Sequence, residues 1–263
     1  MTFSPDKIIR KPEMRAPIMI LYAPNGHGKT TFLASIPELF IIDTEDKCNE
    51  VNTPRYVPES YTDVIESLLY ILNGFKPNEL PYNAIAIDTL DWLEKRTHED
   101  ICLKYNVKTI IDDKCKELNF GKGNILAANM FIGDILPLIE AIRKKHNIPI
   151  ILCAQHQKIK VKEPDKDEYS VIDLRLDSKL AGALSDKVEA KLYLNCRYMK
   201  DQKGSMIPSD ERFLITSPQK GIAAKNSLDL PNQIIIGRYT GWQDFYKSIG
   251  LNKPPKIQPT IQS

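Results

Sequence analysis

The sequence has few of the features that mark secreted, metal-bound or membrane proteins. Its five cysteines are odd in number and contain no CxxC pair, which argues against a disulfide framework or a zinc ribbon. The four histidines show no HxxxH or HxH spacing, and no run approaches the roughly 18 apolar residues of a membrane helix. The first residues lack the cationic start and apolar run of a signal peptide. We therefore expect a reduced, cytoplasmic protein that does not contact a membrane.

The charges are balanced, since 36 lysines and arginines face 34 acidic residues and the formal net charge is +2. This balance argues against a polybasic nucleic-acid binder, so any DNA-binding surface must be a local patch. Of the 263 residues, 42% are hydrophobic and 27% charged, which is typical of a chain that forms one large α/β domain. Prolines and charges near both ends predict a loose arm over residues 1–15, a domain over 16–245 and a tail over 246–263.

Short apolar runs alternate with helical patterns along the central part of the chain. Four runs are too short for helices and apolar on both faces, as buried parallel strands are, at residues 18–22, 39–42, 84–87 and 148–153. Helical periodicity follows Ser60, a predicted N-cap, and recurs over residues 131–142 before Asn147. Later strand-like runs, with connections suited to hairpins, lie at residues 191–195, 212–216 and 233–236. The pattern predicts a doubly wound, mostly parallel α/β sheet with antiparallel strands added near the C-terminus.

The first predicted strand is followed by a glycine-rich loop, Ala-Pro-Asn-Gly-His-Gly-Lys-Thr-Thr at residues 23–31. It fits the phosphate-loop pattern GxxxxGK followed by Ser or Thr, except that Ala23 replaces the first glycine and restricts the loop if that position needs a positive φ. In this motif backbone N–H groups cradle phosphate oxygens, Lys29 lies between the β- and γ-phosphates, and the Thr30 hydroxyl binds Mg²⁺. A plain surface turn is the alternative. The loop therefore predicts an ATP and Mg²⁺ site formed by Pro24, Asn25, Gly26, His27, Gly28, Lys29, Thr30 and Thr31.

Two acidic strand ends are candidates for the metal ligand and the catalytic base. Asp88 ends the third apolar run, where a carboxylate holds Mg²⁺ through its water shell; the alternative is that it caps the helix that follows. Many P-loop ATPases place a glutamate directly after this aspartate, but here Thr89 follows. Glu45, after the second run, would reach the same edge of a parallel sheet, so we predict Glu45 as the catalytic base and Asp43 as a structural acid. A solvated acidic turn is the alternative for Glu45.

The order of these motifs resembles the RecA-like recombinase core, in particular the phage-encoded ATP-binding proteins of that core implicated in single-strand annealing and recombination. The resemblance covers roughly residues 16–240 and rests on the phosphate loop, the sequence Ile-Asp-Thr-Glu at residues 42–45, the strand ending in Asp88 and the apolar strand ending at residues 154–156. It implies a RecA-like P-loop NTPase fold in which Glu45 activates water. It also implies that a polar residue after the fourth strand senses the γ-phosphate, either Gln155 or His156, with strand-end solvation as the alternative.

The resemblance further implies a DNA-binding surface. Lys158, Lys160 and Lys162 match the second DNA-binding loop of the family, and alternation places their ammonium groups on one side of an extended chain. A solvated edge strand explains the same pattern. Lys122, between two glycines, matches the first DNA-binding loop, with an ordinary helix-entry loop as the alternative.

Contacts between subunits are implied as well. Lys225 matches a cation that reaches the ATP of a neighbouring subunit in RecA filaments, where it would stabilise developing phosphate charge only after assembly. Arg212 and Arg238 are rivals for this role, and a solvated lysine at a strand end is the alternative. The implied assembly is a homo-oligomer with ATP at the subunit interfaces.

Together, the motifs and the resemblance imply a Mg²⁺-dependent ATPase that acts on single-stranded DNA in phage recombination or replication, in the cytoplasm of the host. The implied partners are single-stranded DNA, further copies of the chain and a single-stranded-DNA-binding protein. Two alternatives stay open. One is a motor related to replicative helicases, which share the core, and the other is an interaction module that binds nucleotide without significant hydrolysis.

Overall fold

The computed structural model of the chain describes residues 15–162, 167–202, 204–219 and 221–249. Residues 1–14 of the predicted arm and residues 250–263 of the predicted tail lie outside this part. The strands are β1 (Ile18–Ala23), β2 (Leu39–Asp43), β3 (Arg55–Tyr56), β4 (Ala84–Asp88), β5 (Ile150–Val161), β6 (Tyr169–Leu174), β7 (Ala190–Lys200), β8 (Met206–Ile215), β9 (Lys225–Asn226) and β10 (Gln233–Ile236). The α-helices are α1 (Lys29–Ala34), α2 (Tyr61–Asn73), α3 (Leu90–Tyr105), α4 (Lys122–Met130), α5 (Leu136–His146), α6 (Ser178–Lys187) and α7 (Gly241–Ser248).

One mixed sheet organises these elements in the order β10-β8-β7-β1-β5-β4-β2-β3, with β6 paired to β5 and β9 paired to β7. The strand β1 lies between two parallel neighbours, β5 and β7, and parallel pairing continues from β5 through β4 to β2. The strands β8 and β10 are antiparallel additions at one side. This arrangement confirms the predicted doubly wound, mostly parallel α/β fold with antiparallel strands near the C-terminus.

Two strands differ from the sequence-based prediction. The run at residues 191–195 is predicted as an antiparallel addition, whereas the first residues of β7 pair parallel with β1 and its later residues pair antiparallel with β8. The fourth apolar strand is predicted to end at residues 154–156, whereas β5 continues to Val161. The extension forms because β5 leaves β1 after Gln155 and pairs antiparallel with β6 from His156 onward.

Helices cover both faces of the sheet, and alternation along β1 explains why its run is apolar throughout. Ile18, Ile20 and Tyr22 pack in the layer that contains α2, α3 and α5, whereas Met19 and Leu21 pack in the layer that contains α1 and α7. Successive side chains of a strand point to opposite faces, so a central parallel strand must be apolar on both. Polar side chains therefore lie at the edge of the sheet formed by the carboxyl ends of the parallel strands.

Short-range signals set the ends of two outer helices. Ser60 and Asp63 form a capping box at the start of α2, in which the Asp63 N–H donates to Ser60 Oγ (3.1 Å) and the Ser60 N–H donates to Asp63 Oδ2 (3.0 Å). The helix α7 packs Trp242 and Phe245 against Phe32 of α1 with the rings edge-on. The domain boundary predicted at residue 245 therefore falls inside a helix that belongs to the packed body.

The helices α4 and α5 join through a π-helical turn (Phe131–Ile135) into one continuous helix, Lys122–His146, of 25 residues. Its length and composition would let it cross a membrane, but Phe131, Ile135 and Ile139 belong to the main hydrophobic core of the α/β domain. The helix begins at Lys122 after Gly121, which is its N-cap at φ 78°. The segment predicted as a first DNA-binding loop is thus the first turn of a helix.

Candidate functional site

The phosphate loop connects β1 to α1 and obtains its shape from two glycines. Gly26 and Gly28 have φ values of 76° and 98°, a region that side chains other than glycine rarely adopt. Ala23, in contrast, is the last residue of β1 and is not among the residues with positive φ. The methyl group at the position usually held by the first glycine therefore imposes no backbone strain.

The side chain of Lys29 is buried at the centre of the site, with 8% of the residue exposed. Its ammonium donates to Gln155 Oε1 (3.0 Å), on β5, and to the Ala23 carbonyl (3.3 Å). Burial lowers the pKa of Lys29, although Asp88 and Glu45 act in the opposite direction. A buried ammonium bonded to neutral oxygens is well suited to bind an anion.

The ends of β2 and β4 bring two carboxylates side by side, because Asp43 and Asp88 are register partners. Asp88 is 6% exposed, and burial raises its pKa from 3.8 to about 6, while the Cys48 thiol and Lys29 favour the charged form. Cys48 donates through Sγ to Asp88 Oδ2 (3.4 Å). The Cys48 thiol and Lys29 therefore offset only part of the cost of burying the charged Asp88 carboxylate.

The loop that follows β2 is held in place by Asp43. Its carboxylate accepts hydrogen bonds from the Lys47 N–H (3.2 Å), the Cys48 N–H (2.9 Å) and Arg55 Nη1 (2.8 Å). Arg55 Nη1 also donates to Asp46 Oδ1 (2.9 Å). These bonds fold residues 44–49 into a compact turn, which agrees with the structural role predicted for Asp43.

Within this turn, Thr44 and Glu45 point to the shared edge of the sheet. Thr44 Oγ1 accepts from the Thr89 N–H (2.8 Å) and donates to the Thr89 carbonyl (2.7 Å), so it joins the ends of β2 and β4. The Glu45 side chain is 14% exposed and forms an ion pair with Lys47. Glu45 thus lies near the end of β4, where Thr89 follows Asp88 in the place of an acid.

These groups line one cavity of about 510 Å³. Its wall combines glycine backbone, one buried ammonium, hydroxyl groups and carboxylates: Asn25, Gly26, Gly28, Lys29, Thr30, Thr31, Asp43, Glu45, Lys47, Asp88, Thr89 and Gln155. N–H groups and an ammonium bind phosphate oxygens, and the hydroxyl and carboxylate oxygens are the donors that Mg²⁺ prefers. The donor set therefore fits a polyphosphate with a hard divalent cation.

Comparison with protein families agrees with this geometry. A family model described as an AAA domain matches residues 15–228. The chain belongs to this AAA domain family. Among solved structures, the crystal structure of the RadB recombinase is similar over 86% of this chain and 90% of that chain, with 12% identity and a TM-score of 0.42. No curated protein matches the sequence at a significant level.

In this AAA domain, the two predicted candidates for a phosphate sensor have different surroundings. Gln155 lines the cavity and bonds to Lys29, and its own N–H donates to Asp91 Oδ2 (2.8 Å). His156, the next residue of β5, does not line the cavity. Burial, followed by Lys29 and Arg175, lowers the pKa of His156.

Most of the loop residues predicted to bind nucleotide line the cavity, but Pro24 and His27 do not. His27 lies beside the β7–β8 hairpin instead, with Nε2 3.1 Å from the Tyr198 hydroxyl. The lysines predicted to bind DNA are all away from the cavity. Lys158, Lys160 and Lys162 are exposed on or beside β5, and Lys160 pairs with Glu168 (2.9 Å).

Two further predicted lysines are bonded within the chain. The Lys225 ammonium donates to the carbonyls of Ser185 (2.9 Å) and Asp186 (3.0 Å), near the C-terminus of α6, where a cation is favourable. The Lys122 ammonium donates to the Lys116 carbonyl (2.9 Å). A role of Lys225 in a neighbouring subunit stays a prediction, and it would require both carbonyl bonds to break.

Sequence reasoning missed Arg55, Lys47 and Cys48. Arg55 is a single arginine in a two-residue strand, and its bonds to Asp43 and Asp46 depend on parallel pairing of β3 with β2. In the sequence, Cys48 is one of five cysteines without a recognisable partner, and its contact with Asp88 is visible only in the folded structure. The Asp-x-x-x-x-Cys spacing carries no known chemistry, so no sequence signal could have identified these contacts.

Proposed function

We propose that this AAA domain protein is a Mg²⁺-dependent ATPase that acts on single-stranded DNA. The observation that carries the proposal is the single cavity in which Lys29, Thr30, Asp88 and Glu45 meet. Lys29 and the loop N–H groups bind the triphosphate, and Thr30 and Asp88 hold Mg²⁺ with its water shell. When bound, Mg²⁺ neutralises charge on the phosphates.

Glu45 is the group proposed to activate water. A carboxylate within reach of the terminal phosphate accepts the proton of the attacking water, as general-base catalysis requires. The bonds that Asp43 and Thr44 make to the rest of the site hold the Glu45 backbone between β2 and β4. Gln155 is the proposed phosphate sensor because it contacts Lys29 and precedes the lysine-bearing part of the same strand, β5.

The DNA part of the proposal rests on that continuity. Lys158 follows Gln155 by three residues, about 10 Å along an extended strand, and Lys160 and Lys162 share its face. From His156 onward β5 pairs only with β6, so the backbone of one strand connects Gln155 to this lysine row. The resemblance to phage annealing proteins supports single-stranded DNA as the ligand, with further copies of the chain and a single-stranded-DNA-binding protein as partners.

ATP turnover by purified protein tests the enzyme part. Lys29→Ala should abolish nucleotide binding, whereas Glu45→Gln should bind ATP normally and lose turnover by about 100-fold or more. Glu50→Gln is the matched control because Glu50 is an exposed acid of the same loop that does not line the cavity. Normal turnover in Glu45→Gln would refute the assignment of the base.

Binding of labelled oligonucleotides tests the DNA part. Replacing the lysine row by alanine should weaken binding to single-stranded DNA at least tenfold and reduce its dependence on salt, because phosphate contacts release counterions. The matched control removes the same charge from exposed lysines elsewhere: Lys104, Lys108 and Lys114. Equal binding by the two triple variants, or no binding by the unchanged protein at low salt, would refute this part.

A further inference from the structure

The β7–β8 hairpin brings an arginine against the phosphate loop. A methyl group added to the Gly28 Cα would lie 3.1 Å from Arg212 Nε and 3.5 Å from Arg212 Cδ. Gly28 is the N-cap of α1 and directly precedes Lys29. The Arg212 side chain therefore packs on the same turn of backbone that offers N–H groups to phosphate, within its own chain.

An irregularity in the hairpin directs this side chain. Cys196 pairs with Arg212 and Tyr198 pairs with Pro208, so between these pairs β7 advances by two residues and β8 by four. Such bulges change the direction of a side chain and are common beside functional sites. Arg212 Nη1 donates to the Ser209 carbonyl (2.8 Å) inside the bulge, which fixes the side chain in this place.

Arg212 has no carboxylate partner among the described residues, although acids lie next to it in sequence. Glu211 pairs with Arg197 (3.3 Å) and Asp210 pairs with Arg238 (3.3 Å). The Nε atom of Arg212 is buried and has no hydrogen-bond partner in the described structure. A buried donor on an uncompensated charge is unfavourable, so an anion bound here would stabilise it.

The neighbouring groups increase the positive potential at this point. Lys29 follows Gly28 directly, and His27 precedes it. Burial lowers the pKa of His27, and the charges of Arg212 and Lys29 lower it further. Two basic side chains, Lys29 and Arg212, beside one stretch of N–H groups match a ligand with several negative charges better than a ligand with one.

We propose that Arg212 binds the polyphosphate of the nucleotide held by its own chain. The inference rests on the proposed function, in which the phosphate loop binds ATP, and it adds a binding residue to that site. It assigns Arg212 a role within its own subunit, in contrast to the sequence-based alternative of a cation donated to a neighbour. The planar guanidinium adds N–H donors beside Gly28 of the loop.

The test measures the dissociation constants of ATP and of tripolyphosphate, the latter by competition with a fluorescent ATP analogue. Arg212→Met keeps an unbranched side chain over Gly28 and removes the charge, so both ligands should bind about tenfold or more weakly. Arg212→Lys should lose less, because it keeps the charge without the planar donor group. Arg197→Met is the matched control, since it removes an exposed arginine of the same hairpin and should change neither constant.

Four outcomes decide the matter. Weaker binding of both ligands by Arg212→Met, with a urea midpoint no lower than that of the unchanged protein, supports the inference. Unchanged affinity for both ligands, or weaker binding of ATP alone, overturns it. If the Met variant does not fold, the same two dissociation constants measured on Arg212→Lys decide in its place. ATPase activity recovered by mixing Arg212→Met with Lys29→Ala subunits also overturns it, because the arginine would then act on a neighbour. Failure of the unchanged protein to bind ATP would instead refute the proposed function.

Discussion

Replacing Asp88 by asparagine should make the nucleotide-free protein more stable while removing the proposed Mg²⁺-dependent ATPase activity. Burial raises the pKa of Asp88 from 3.8 to about 6. The folded protein therefore holds this proton more tightly than the unfolded chain, so ionisation of Asp88 opposes folding. The unfavourable contribution is absent well below pH 3.8, grows as the pH rises and is complete above about pH 6.

The magnitude follows from the size of the shift. A difference of about two pKa units corresponds to about 3 kcal/mol of unfolding free energy at neutral pH. Asp88→Asn has nearly the same shape and can still accept the hydrogen bond from Cys48 Sγ, so it should recover most of this energy at pH 7.5. The advantage should fall to about half at pH 5, where the folded wild-type protein is already mostly protonated at this position.

Urea unfolding in EDTA without nucleotide, followed by tryptophan fluorescence at pH 7.5 and pH 5, measures this difference. Asp43→Asn is the matched control, because Asp43 is the register partner of Asp88 on the adjacent strand. Asp43 accepts three hydrogen bonds, one of them from Arg55, so its replacement should destabilise the protein by about 2 kcal/mol or more. A less stable Asp88→Asn variant, or an advantage that does not change with pH, would refute the reasoning.

The other stability predictions concern backbone packing and capping, and thermal or urea unfolding measures each of them. Gly123→Ala should cost about 2–4 kcal/mol, because its methyl group would lie 2.0 Å from the Ile110 carbonyl oxygen; a neutral effect would contradict the packing described. Gly133→Ala, with no atom within 4 Å of the added methyl, should instead stabilise the helix by about 0.5–1 kcal/mol. Ser60→Ala should cost about 1 kcal/mol through loss of the capping box with Asp63, and an unchanged midpoint would show that the box contributes nothing.

The parts of the fold that sequence patterns could predict are those set by short-range rules. Runs that are apolar on both faces identify β1, β2 and β4 because a buried parallel strand has no solvated side. Ser60 identifies the start of α2 because its partner Asp63 is only three residues away. The phosphate loop is recognisable because its glycines, lysine and threonine act at fixed spacing.

Long-range pairing explains the failures. The polar residues from Gln155 to Lys160 read as the end of a strand, because their extension depends on antiparallel pairing with β6, which the residues of β5 alone do not encode. The glycine pair around Lys122 reads as a flexible loop, whereas Gly123 is required because Ile110 packs on its Cα. The hydrogen bonds of Arg55 and the position of Arg212 depend on which strands become neighbours. No local sequence pattern predicts that pairing.

A bound ligand would stabilise the two buried charged groups of the site, Lys29 and Asp88. Burial lowers the pKa of Lys29 and raises that of Asp88, so without ligand each group is held in surroundings that disfavour its charged form. Their mutual attraction does not remove this cost, since Lys29 bonds to Gln155 and Asp88 to the Cys48 thiol instead of to each other. A triphosphate beside the ammonium and a divalent cation beside the carboxylate would stabilise both charged forms together. Nucleotide and metal should therefore bind with positive cooperativity, each lowering the dissociation constant of the other.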